Sequence, residues 1–195
     1  MVKPTKLFWK VGKHVLRYLR GTSGYGLWYR QSDEVTLCGF TDADWAGSPT
    51  ERKSASGGIF SIESTTVSWY SRKQRSMALS SANAEYMAAS LATCEAIWMR
   101  KILVGLLGSH LDPTVIYCDN QSCIKLSVNL VFHDRSKHIN IRYHHIRDCV
   151  QRKVMLLSYI PIEDQDADIL TKALTRSKLE YHRGRIGVAD NPYLV

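Results

Sequence analysis

Alternation of apolar and polar positions is clearest at residues 36–44, which run into a glycine-containing turn. Successive side chains of a strand point to opposite faces, so Cys38, Phe40 and Asp42 share one face of a predicted central strand. A carboxylate at the end of such an apolar face is costly to bury unless a cation compensates it. Asp42 is therefore a candidate functional residue, although an aspartate that only caps the turn fits the position equally well.

Two more strands are predicted after this one, beyond a polar, charged loop at residues 48–56. Aromatic and β-branched residues recur at 57–62 and 66–71, and a tight turn around Ser64 separates the two runs. Residues 35–71 therefore predict a three-stranded antiparallel meander.

The longest helical pattern runs from residue 80 to residue 107. Its apolar residues repeat every three or four positions, which predicts a buried stripe along one side of a helix. This stripe consists of Ala84, Met87, Leu91, Cys94, Trp98 and Ile102. Beside it, the small residues Ala88 and Ala92 would let the helix approach a sheet closely. Glu85 lies in the first turn, where the helix dipole by itself favours a carboxylate.

Shorter elements complete the central part of the chain. Apolar strands are predicted at 114–118 and 154–160, and an amphipathic helix follows the first of them. Asp119 comes directly after the first strand, and Asp168 lies in the acidic opening of a last helix predicted at 163–174. Aspartate is also ordinarily favoured at a helix start, so each position alone has a purely structural interpretation.

The remaining segments are basic. Residues 6–20 predict an amphipathic helix that ends at a Gly-Thr-Ser-Gly sequence, and a short strand is predicted at 25–31. Residues 139–150 have helical spacing and many Arg, Lys and His side chains, for which a solvated basic face is favoured over a histidine metal site. Beyond Arg176 we expect the chain to fray.

The order of these elements predicts an α/β fold in which helices pack on a mixed sheet. If the strands carrying Asp42 and Asp119 are parallel neighbours, both carboxylates lie at one sheet edge, within reach of Glu85 and Asp168. Such a cluster repels itself unless cations neutralise it, and Mg²⁺ prefers carboxylate oxygens as ligands. Two metal ions about 4 Å apart would activate water and stabilise the leaving oxygen in phosphodiester cleavage.

Composition agrees with a nucleic-acid substrate. The net charge of +8 and the pI of about 9.3 suit a polyanionic partner. No apolar run approaches the roughly 20 residues of a membrane span, so no membrane partner is expected. The 5 cysteines form no C-x-x-C pair, which favours a reducing intracellular setting over a zinc site or a disulfide framework.

Five ordered motifs carry a family resemblance across residues 37–174. They are Thr41-Asp-Ala-Asp-Trp-Ala-Gly47, Ser80-Ser-Ala-Asn-Ala-Glu-Tyr-Met-Ala-Ala89, Tyr117-Cys-Asp-Asn-Gln121, Lys137-His-Ile-x-Ile-x-x-His144 and Ala167-Asp-Ile-Leu-Thr-Lys172. Together they resemble the RNase H domain of copia-type LTR retrotransposon polyproteins. The segment 8–22 resembles the end of the reverse transcriptase that precedes RNase H in those polyproteins.

The resemblance implies an RNase H-like fold with a five-stranded mixed sheet whose first three strands are antiparallel. It also implies cleavage of the RNA strand of RNA/DNA hybrids with two Mg²⁺ ions, for which Mn²⁺ is expected to substitute. The four family carboxylates correspond to Asp42, Glu85, Asp119 and Asp168. Asp44 is a rival to Asp42, but we expect it to lie beyond the strand and exposed in the turn.

The resemblance also implies a domain organisation. Residues 1–34 would be the tail of the reverse transcriptase and a linker, residues 35–176 the RNase H domain, and residues 177–195 a C-terminal tail. The reverse transcriptase of the same polyprotein is then a partner, and the expected location is a cytoplasmic virus-like particle. Cellular relatives carry a histidine in the loop before the last aspartate, whereas residues 161–166 here contain none.

Contacts are predicted with both strands of the hybrid. Recognition of 2′-hydroxyl groups is assigned to the backbone of Gly57 and Gly58 and to Asn83 and Gln121. Phosphates of the DNA strand are assigned to Arg52, Lys53, Ser54, Ser56, Arg72, Lys73 and Arg75.

Two other functions fit part of the pattern. An integrase-type strand-transfer enzyme also uses two metals but has the order Asp, Asp, Glu, whereas the order here is Asp, Glu, Asp, Asp. A non-catalytic nucleic-acid-binding module would keep the fold and the charge without turnover, and it stays the main alternative. No chemistry is assigned to His144 or His145.

Overall fold

A computed structural model of the protein describes residues 5–29, 31, 35–47, 53–108, 110–128 and 144–191. Its strands are β1 (Tyr25–Leu27), β2 (Leu37–Asp44), β3 (Ala55–Ile62), β4 (Thr65–Lys73), β5 (Thr114–Cys118), β6 (Met155–Tyr159) and β7 (Val188–Asp190). Its α-helices are α1 (Lys6–Gly21), α2 (Ser81–Leu107), α3 (Gln121–Val128), α4 (His144–Gln151) and α5 (Arg176–Arg185).

The main sheet has five strands in the order β4-β3-β2-β5-β6. β2, β3 and β4 are antiparallel, while β5 is parallel to β2 and β6 is parallel to β5. This is the mixed sheet with an antiparallel meander that the sequence predicts. A two-residue turn joins β3 to β4, and residues 45–54 connect β2 to β3. The parallel pairing of β5 with β2 needs a long crossover, and the connection from β4 to β5 that supplies it contains α2.

Both faces of β2 are covered, which places the strand at the centre of the fold. On one face Phe40 packs with Ile59, Ile160 and Ala167. On the other face Ala43 packs with alanines of α2. Because the two neighbours of β2 are also paired, its end is an enclosed setting for a polar side chain.

α2 begins and ends with ordinary caps. The Ser80 hydroxyl accepts a hydrogen bond from the Asn83 amide at 3.2 Å, and Gly108 closes the helix in the left-handed region at φ 65°. The face that meets the sheet is built mainly of small residues, including Ala84, Ala88, Ala92 and Ala96.

The prediction of a buried stripe is wrong for the C-terminal half of α2. Of its members, Ala84 is buried, but Trp98 is 57% exposed and Ile102 is 41% exposed. Cys94 is exposed as well. The neighbouring row of small residues faces the sheet instead, because small side chains permit a closer approach between helix and sheet than a row of bulky ones.

The C-terminal part also differs from expectation. The helix predicted at 163–174 consists of two short 3-10 helices, Ile162–Asp164 and Asp166–Leu170. The stretch expected to fray after Arg176 forms α5 and β7 within the described residues. β7 pairs antiparallel with β1, so Tyr25 lies opposite Asp190. The division of the chain at residues 34 and 176 stays a prediction.

α1 stands apart from this arrangement. None of its residues is buried, and its apolar side chains are exposed, including Leu7, Trp9 and Leu16 at about two-thirds exposure. Within the described part of the chain, no helix is long and apolar enough to cross a membrane.

Candidate active site

The site lies at the edge of the sheet where the parallel strands β2 and β5 both end. Phe40 of β2 is opposite Tyr117 of β5, so Asp42 and Asp119 project from adjacent strand ends. Asp42 is completely buried and Asp119 is half-buried. The structure therefore has the parallel neighbours on which the sequence-based hypothesis of a shared carboxylate site depends.

Asp168 completes a three-carboxylate group. It is carried by the 3-10 helix Asp166–Leu170, which packs on β2 and β3. One oxygen from each of Asp42, Asp119 and Asp168 lies within 4.8 Å of the other two. This approach is close because Gly57 of β3 lacks a side chain: a Cβ atom there would lie 2.8 Å from Thr171 Cγ2.

Glu85 reaches the same edge from α2 on the opposite side of the sheet. Its Oε1 accepts a hydrogen bond from the Ala43 amide at 3.2 Å. Its Oε2 is buried and has no hydrogen-bond partner within the described residues. Glu85 and Asp119 can each place one oxygen within 4.8 Å of the Cys118 thiol and of each other. Asp119 thus joins Glu85 to the other two aspartates.

Burial and repulsion from the charge of Asp42 raise the pKa values of Glu85, Asp119 and Asp168. Burial, followed by the charge of Asp42, raises the pKa of Glu85 to about 10. The same two causes raise the pKa of Asp119. Burial also raises the pKa of Asp168, although its hydrogen bond from Lys172 acts in the opposite direction. Such shifts are typical of carboxylates that are arranged to receive a cation.

A lysine that the sequence argument did not single out lies between two of the aspartates. The Lys172 ammonium donates to Asp168 Oδ1 at 2.8 Å and to Asp42 Oδ1 at 3.1 Å. The Thr171 hydroxyl donates to the second oxygen of Asp42. Burial alone would lower the pKa of Lys172, but the two carboxylates raise it well above its ordinary value. A signal was present, because Lys172 follows Asp168 by four residues and ends the last motif.

The residues present fit divalent cations. The donor set consists of carboxylate oxygens, which Mg²⁺ and Mn²⁺ prefer to nitrogen or sulfur. The buried Oε2 of Glu85 needs a partner, since leaving such an oxygen unsatisfied costs about 1–3 kcal/mol. A bound cation would satisfy this oxygen and offset the repulsion among the carboxylates.

Asp44 occupies a different place from the one expected. It is the last residue of β2 and half-buried, rather than beyond the strand and exposed. Its carboxylate lies over Gly47, where an added Cβ atom would be 1.7 Å from Asp44 Oδ2. Among the described residues, the groups that could hold a metal include Asp42 and leave out Asp44.

The predicted nucleic-acid contacts divide into two sets. Ser54, Ser56, Gly57 and Gly58 are buried, and their assignment to the hybrid surface stays a prediction. The Ser54 hydroxyl accepts from the Ala46 amide, and the Ser56 hydroxyl accepts from Gln74 Nε2. These serines therefore stabilise the turn after β2 and the end of β4, because their hydroxyls accept hydrogen bonds from those segments.

The other predicted contacts lie nearer to solvent. Arg72 and Lys73 are exposed at the end of β4, opposite Ser56 and Ala55 of β3, and Arg75 follows them. Gln121 is exposed at the start of α3, close in sequence to Asp119. Asn83 and Lys53 are half-buried, and the Asn83 side chain accepts from the Leu79 amide. Arg52 lies outside the described residues.

Three histidines lie near the segments discussed above, and they differ in exposure and in surroundings. The backbone of His144 begins α4, but its side chain lies outside the described residues. His145 is exposed near Asp148 and Cys149 on the same helix, and these three could also place ligand atoms within 4.8 Å of one another. The segment before Asp168 has no histidine of its own, but the buried His182 of α5 contacts Asp166 there.

The chain resembles known proteins over almost its whole length. It is 42% identical over 188 residues to the retrovirus-related Pol polyprotein from transposon TNT 1-94 of Nicotiana tabacum, covering 96% of this chain and 14% of that protein. It is 38% identical over 194 residues to the Pol polyprotein from transposon RE2 of Arabidopsis thaliana, covering 98% of this chain and 13% of that protein. No family model matches the chain.

Solved structures show the same fold at lower identity. LC11-RNase H1, isolated from compost, has a TM-score of 0.52 at 16% identity over 70% of this chain and 92% of that chain. The same enzyme in complex with an RNA/DNA hybrid gives a TM-score of 0.50 at 17% identity, over 70% of this chain and 94% of that chain. The N-terminal RNase H domain of a Mycobacterium tuberculosis protein gives a TM-score of 0.50 at 13% identity, over 77% of this chain and 98% of that chain. The fold of this chain is therefore RNase H-like.

Proposed function

We propose that this chain, which belongs to the retrovirus-related Pol polyproteins of copia-type transposons, is a ribonuclease H that cleaves the RNA strand of RNA/DNA hybrids. The chain spans at most 14% of the length of the Pol relatives it matches, so the proposal concerns one segment of such a polyprotein. In that setting its partner is the reverse transcriptase portion, and its work is removal of RNA during reverse transcription.

The observation that carries the proposal is the convergence of four carboxylates on one sheet edge. Asp42, Asp119 and Asp168 place oxygens within 4.8 Å of one another, and Glu85 joins them through Asp119. A structural role alone does not explain why so many acids share a partly desolvated site, because their repulsion opposes folding. The cluster supports binding of two Mg²⁺ or Mn²⁺ ions.

Each carboxylate would contribute differently to that site. The buried Asp42 lies centrally, held by the Thr171 hydroxyl and the Lys172 ammonium. Asp119 and Asp168 flank it, while Glu85 presents its Oε2 from the α2 side. Divalent ions held by these carboxylates would supply Lewis acidity, which would lower the pKa of water and stabilise the leaving oxygen. Lys172 adds a fixed positive charge beside the ligands, favourable for a phosphate diester.

The surface beside the site supports a double-stranded substrate. Arg72 and Lys73 end β4 within two strands of Asp42, and Arg75 follows them. Basic side chains in such a row contact phosphates without reading sequence. The net charge of +8 has the sign that this substrate requires.

A non-catalytic binding module is the second candidate, and one contact favours it. Lys172 already neutralises part of the charge of Asp42 and Asp168, so the carboxylates have an internal counter-ion. In that case the site would need no metal, and the chain would bind hybrids without cleaving them.

A cleavage assay separates the two candidates. An RNA/DNA hybrid labelled on its RNA strand is incubated with the chain in Mg²⁺, in Mn²⁺ and in EDTA, and the products are separated on a denaturing gel. We expect cleavage with either metal, none in EDTA, and none for Asp42→Asn. Asp44→Asn is the matched control, because it removes the same charge from the same strand. Hybrid binding without any metal-dependent cleavage would establish the binding module instead.

A further inference from the structure

A second acidic residue close to Asp168 is buried in a network that the proposed chemistry does not use. Asp166 is 3% exposed, and its Oδ1 accepts from His182 Nδ1 at 2.8 Å. Arg185 Nε donates to both oxygens of Asp166, at 2.9 and 3.1 Å. A carboxylate only accepts, so His182 carries its proton on Nδ1. Asp166 is thus held by hydrogen bonds from two side chains of α5.

These hydrogen bonds act on the 3-10 helix that carries Asp168. Asp166 is the first residue of that helix, and Asp168 is the third. A single helical turn has too few internal hydrogen bonds to hold its position, so its flanking contacts must do so. On the sheet side, Gln165 Nε2 donates to the Thr41 carbonyl at 3.0 Å, one residue before Asp42. On the outer side, the contacts come from His182 and Arg185.

α5 itself is fixed to the main sheet near its C-terminal end. The Ile186 carbonyl accepts from the Thr66 amide of β4 at 3.2 Å. The Gly187 carbonyl accepts from the Trp28 amide at 3.0 Å, and β7 then pairs with β1. The chain past residue 176 is therefore a brace between the sheet and the helix that carries Asp168.

We propose that His182 and Arg185 are positioning residues, which hold Asp166 so that the Asp168 carboxylate faces Asp42 and Asp119. This inference rests on the proposed function, since it treats Asp168 as a metal ligand. His182 and Arg185 do not touch the cation site themselves. They define where the fourth carboxylate stands, as residues behind metal ligands commonly do.

The test measures metal binding directly, without substrate. Mn²⁺ is titrated into the full chain by calorimetry, and thermal unfolding of the same samples is recorded. His182→Phe keeps an aromatic ring but loses the hydrogen bond to Asp166, and Arg185→Ala removes the hydrogen bonds that Arg185 donates to Asp166. We expect each variant to weaken Mn²⁺ binding ~10-fold, the lower end of what such outer contacts contribute. In the cleavage assay, kcat falls while the affinity for hybrid in EDTA is unchanged.

Two variants sharpen the test. Arg185→Lys keeps the positive charge and a donor nitrogen, so it should recover part of the lost Mn²⁺ affinity. Lys178→Ala removes the same charge from an exposed position on the same helix and should have no effect on Mn²⁺ affinity. If His182→Phe does not fold, Arg185→Ala decides, because that side chain is 32% exposed and its loss leaves no buried cavity.

The outcomes separate this inference from the function it rests on. If the variants melt at lower temperature but bind Mn²⁺ as the wild type does, the network is only structural and the inference is overturned. If the wild type binds Mn²⁺ without cleaving hybrids, while the variants bind it more weakly, the positioning role stands and the nuclease proposal falls. A wild-type chain that binds no Mn²⁺ overturns the positioning role.

Discussion

At the scale of single residues, the four carboxylates differ in how they are held. Asp42 has two donors, Thr171 and Lys172, so its charge is partly compensated. Glu85 has one amide donor and one buried oxygen without a partner in the described chain. The electrostatic cost of the cluster therefore falls most heavily on Glu85, whose pKa is raised most clearly.

Glu85→Gln should abolish cleavage and at the same time raise the melting temperature of the metal-free chain. The amide keeps the size of the side chain and needs no proton to stay neutral, so it removes the free-energy cost of keeping the buried Glu85 carboxyl protonated in the folded state. Asp119→Asn should act in the same direction, because burial and Asp42 also raise its pKa. Asp42→Asn should abolish cleavage without this gain, since it loses the ion pair with Lys172. Cleavage assays and thermal unfolding in EDTA measure both effects, and near-normal cleavage by any of the three removes that residue from the site.

The raised pKa of Glu85 also makes stability depend on pH. The folded chain keeps a proton on Glu85 between its ordinary pKa of 4.5 and about 10, whereas the unfolded chain has released it. Because the folded state binds more protons across this window, the free energy of unfolding falls as the pH rises. We expect the metal-free chain to be at least about 1 kcal/mol less stable at pH 8.5 than at pH 5.5.

Urea unfolding in EDTA at the two pH values measures this difference. The matched variant Glu85→Gln cannot release the proton, so its difference should be clearly smaller. Equal pH dependence in the two proteins would mean that Glu85 is ionised at no cost in the folded state.

Asp42 and Lys172 show which residues of a site can be predicted from sequence. Asp42 follows from strand alternation, a regularity that involves only its near neighbours. Asp44, with the same parity, lies in the same strand, and only the fold separates its carboxylate from the cluster. The contact between Lys172 and Asp42 joins residues 130 positions apart and leaves no local pattern. The spacing of Lys172 from Asp168 was the one available sign of its position.

At the scale of elements, α2 shows why periodicity predicts a helix more reliably than the face it buries. In α2, a row of bulky apolar residues and a row of small residues run side by side along the helix, each repeating every three or four positions. Hydrophobicity alone predicts that the bulkier row is buried. In the structure the row of small residues faces the sheet, because α2 packs closely on β2 where Ala84 and Ala88 meet Ala43. Trp98 and Ile102 were assigned to the wrong side for this reason.

The end of β4 is the element on which hybrid binding can be tested. Neutralising Arg72, Lys73 and Arg75 together should weaken hybrid binding and flatten the slope of log affinity against log salt. Each lost phosphate contact should change that slope by ~0.9 or less. Chemistry at saturating hybrid should survive, because no proposed metal ligand is altered.

Hybrid affinity in Ca²⁺ across several salt concentrations measures this slope. Lys10, Lys13 and Arg17, neutralised together, give a control with the same loss of charge on α1, which contributes no residue to the site. A slope that changes equally in the two triple variants would reflect net charge only. An unchanged slope at the end of β4 would direct attention to the basic residues 135–152.

At the scale of the whole molecule, the two ends of the chain have opposite relations to the core. The sequence presents both as basic appendages, and nothing local distinguishes them. In the structure the C-terminal segment is tied to β4, β1 and the Asp168 helix, whereas α1 buries no residue. Pairing between β1 and β7 spans more than 160 residues, and three-residue strands carry too little pattern to predict such a partner.

Removing each end should therefore have unequal effects. Deleting residues 1–21 should shift the melting temperature by less than about 2 °C, because burial of apolar area supplies most of the stability and α1 buries none. Deleting residues 186–195 should lower it by several times that amount, since β1 loses its partner strand and α5 loses its tie to β4. The shorter protein without α1 should also be more soluble, because that helix exposes Leu7, Trp9 and Leu16. Differential scanning calorimetry of the three proteins at equal concentration measures the order. A large drop on deleting α1 would mean that this helix packs against the sheet in solution.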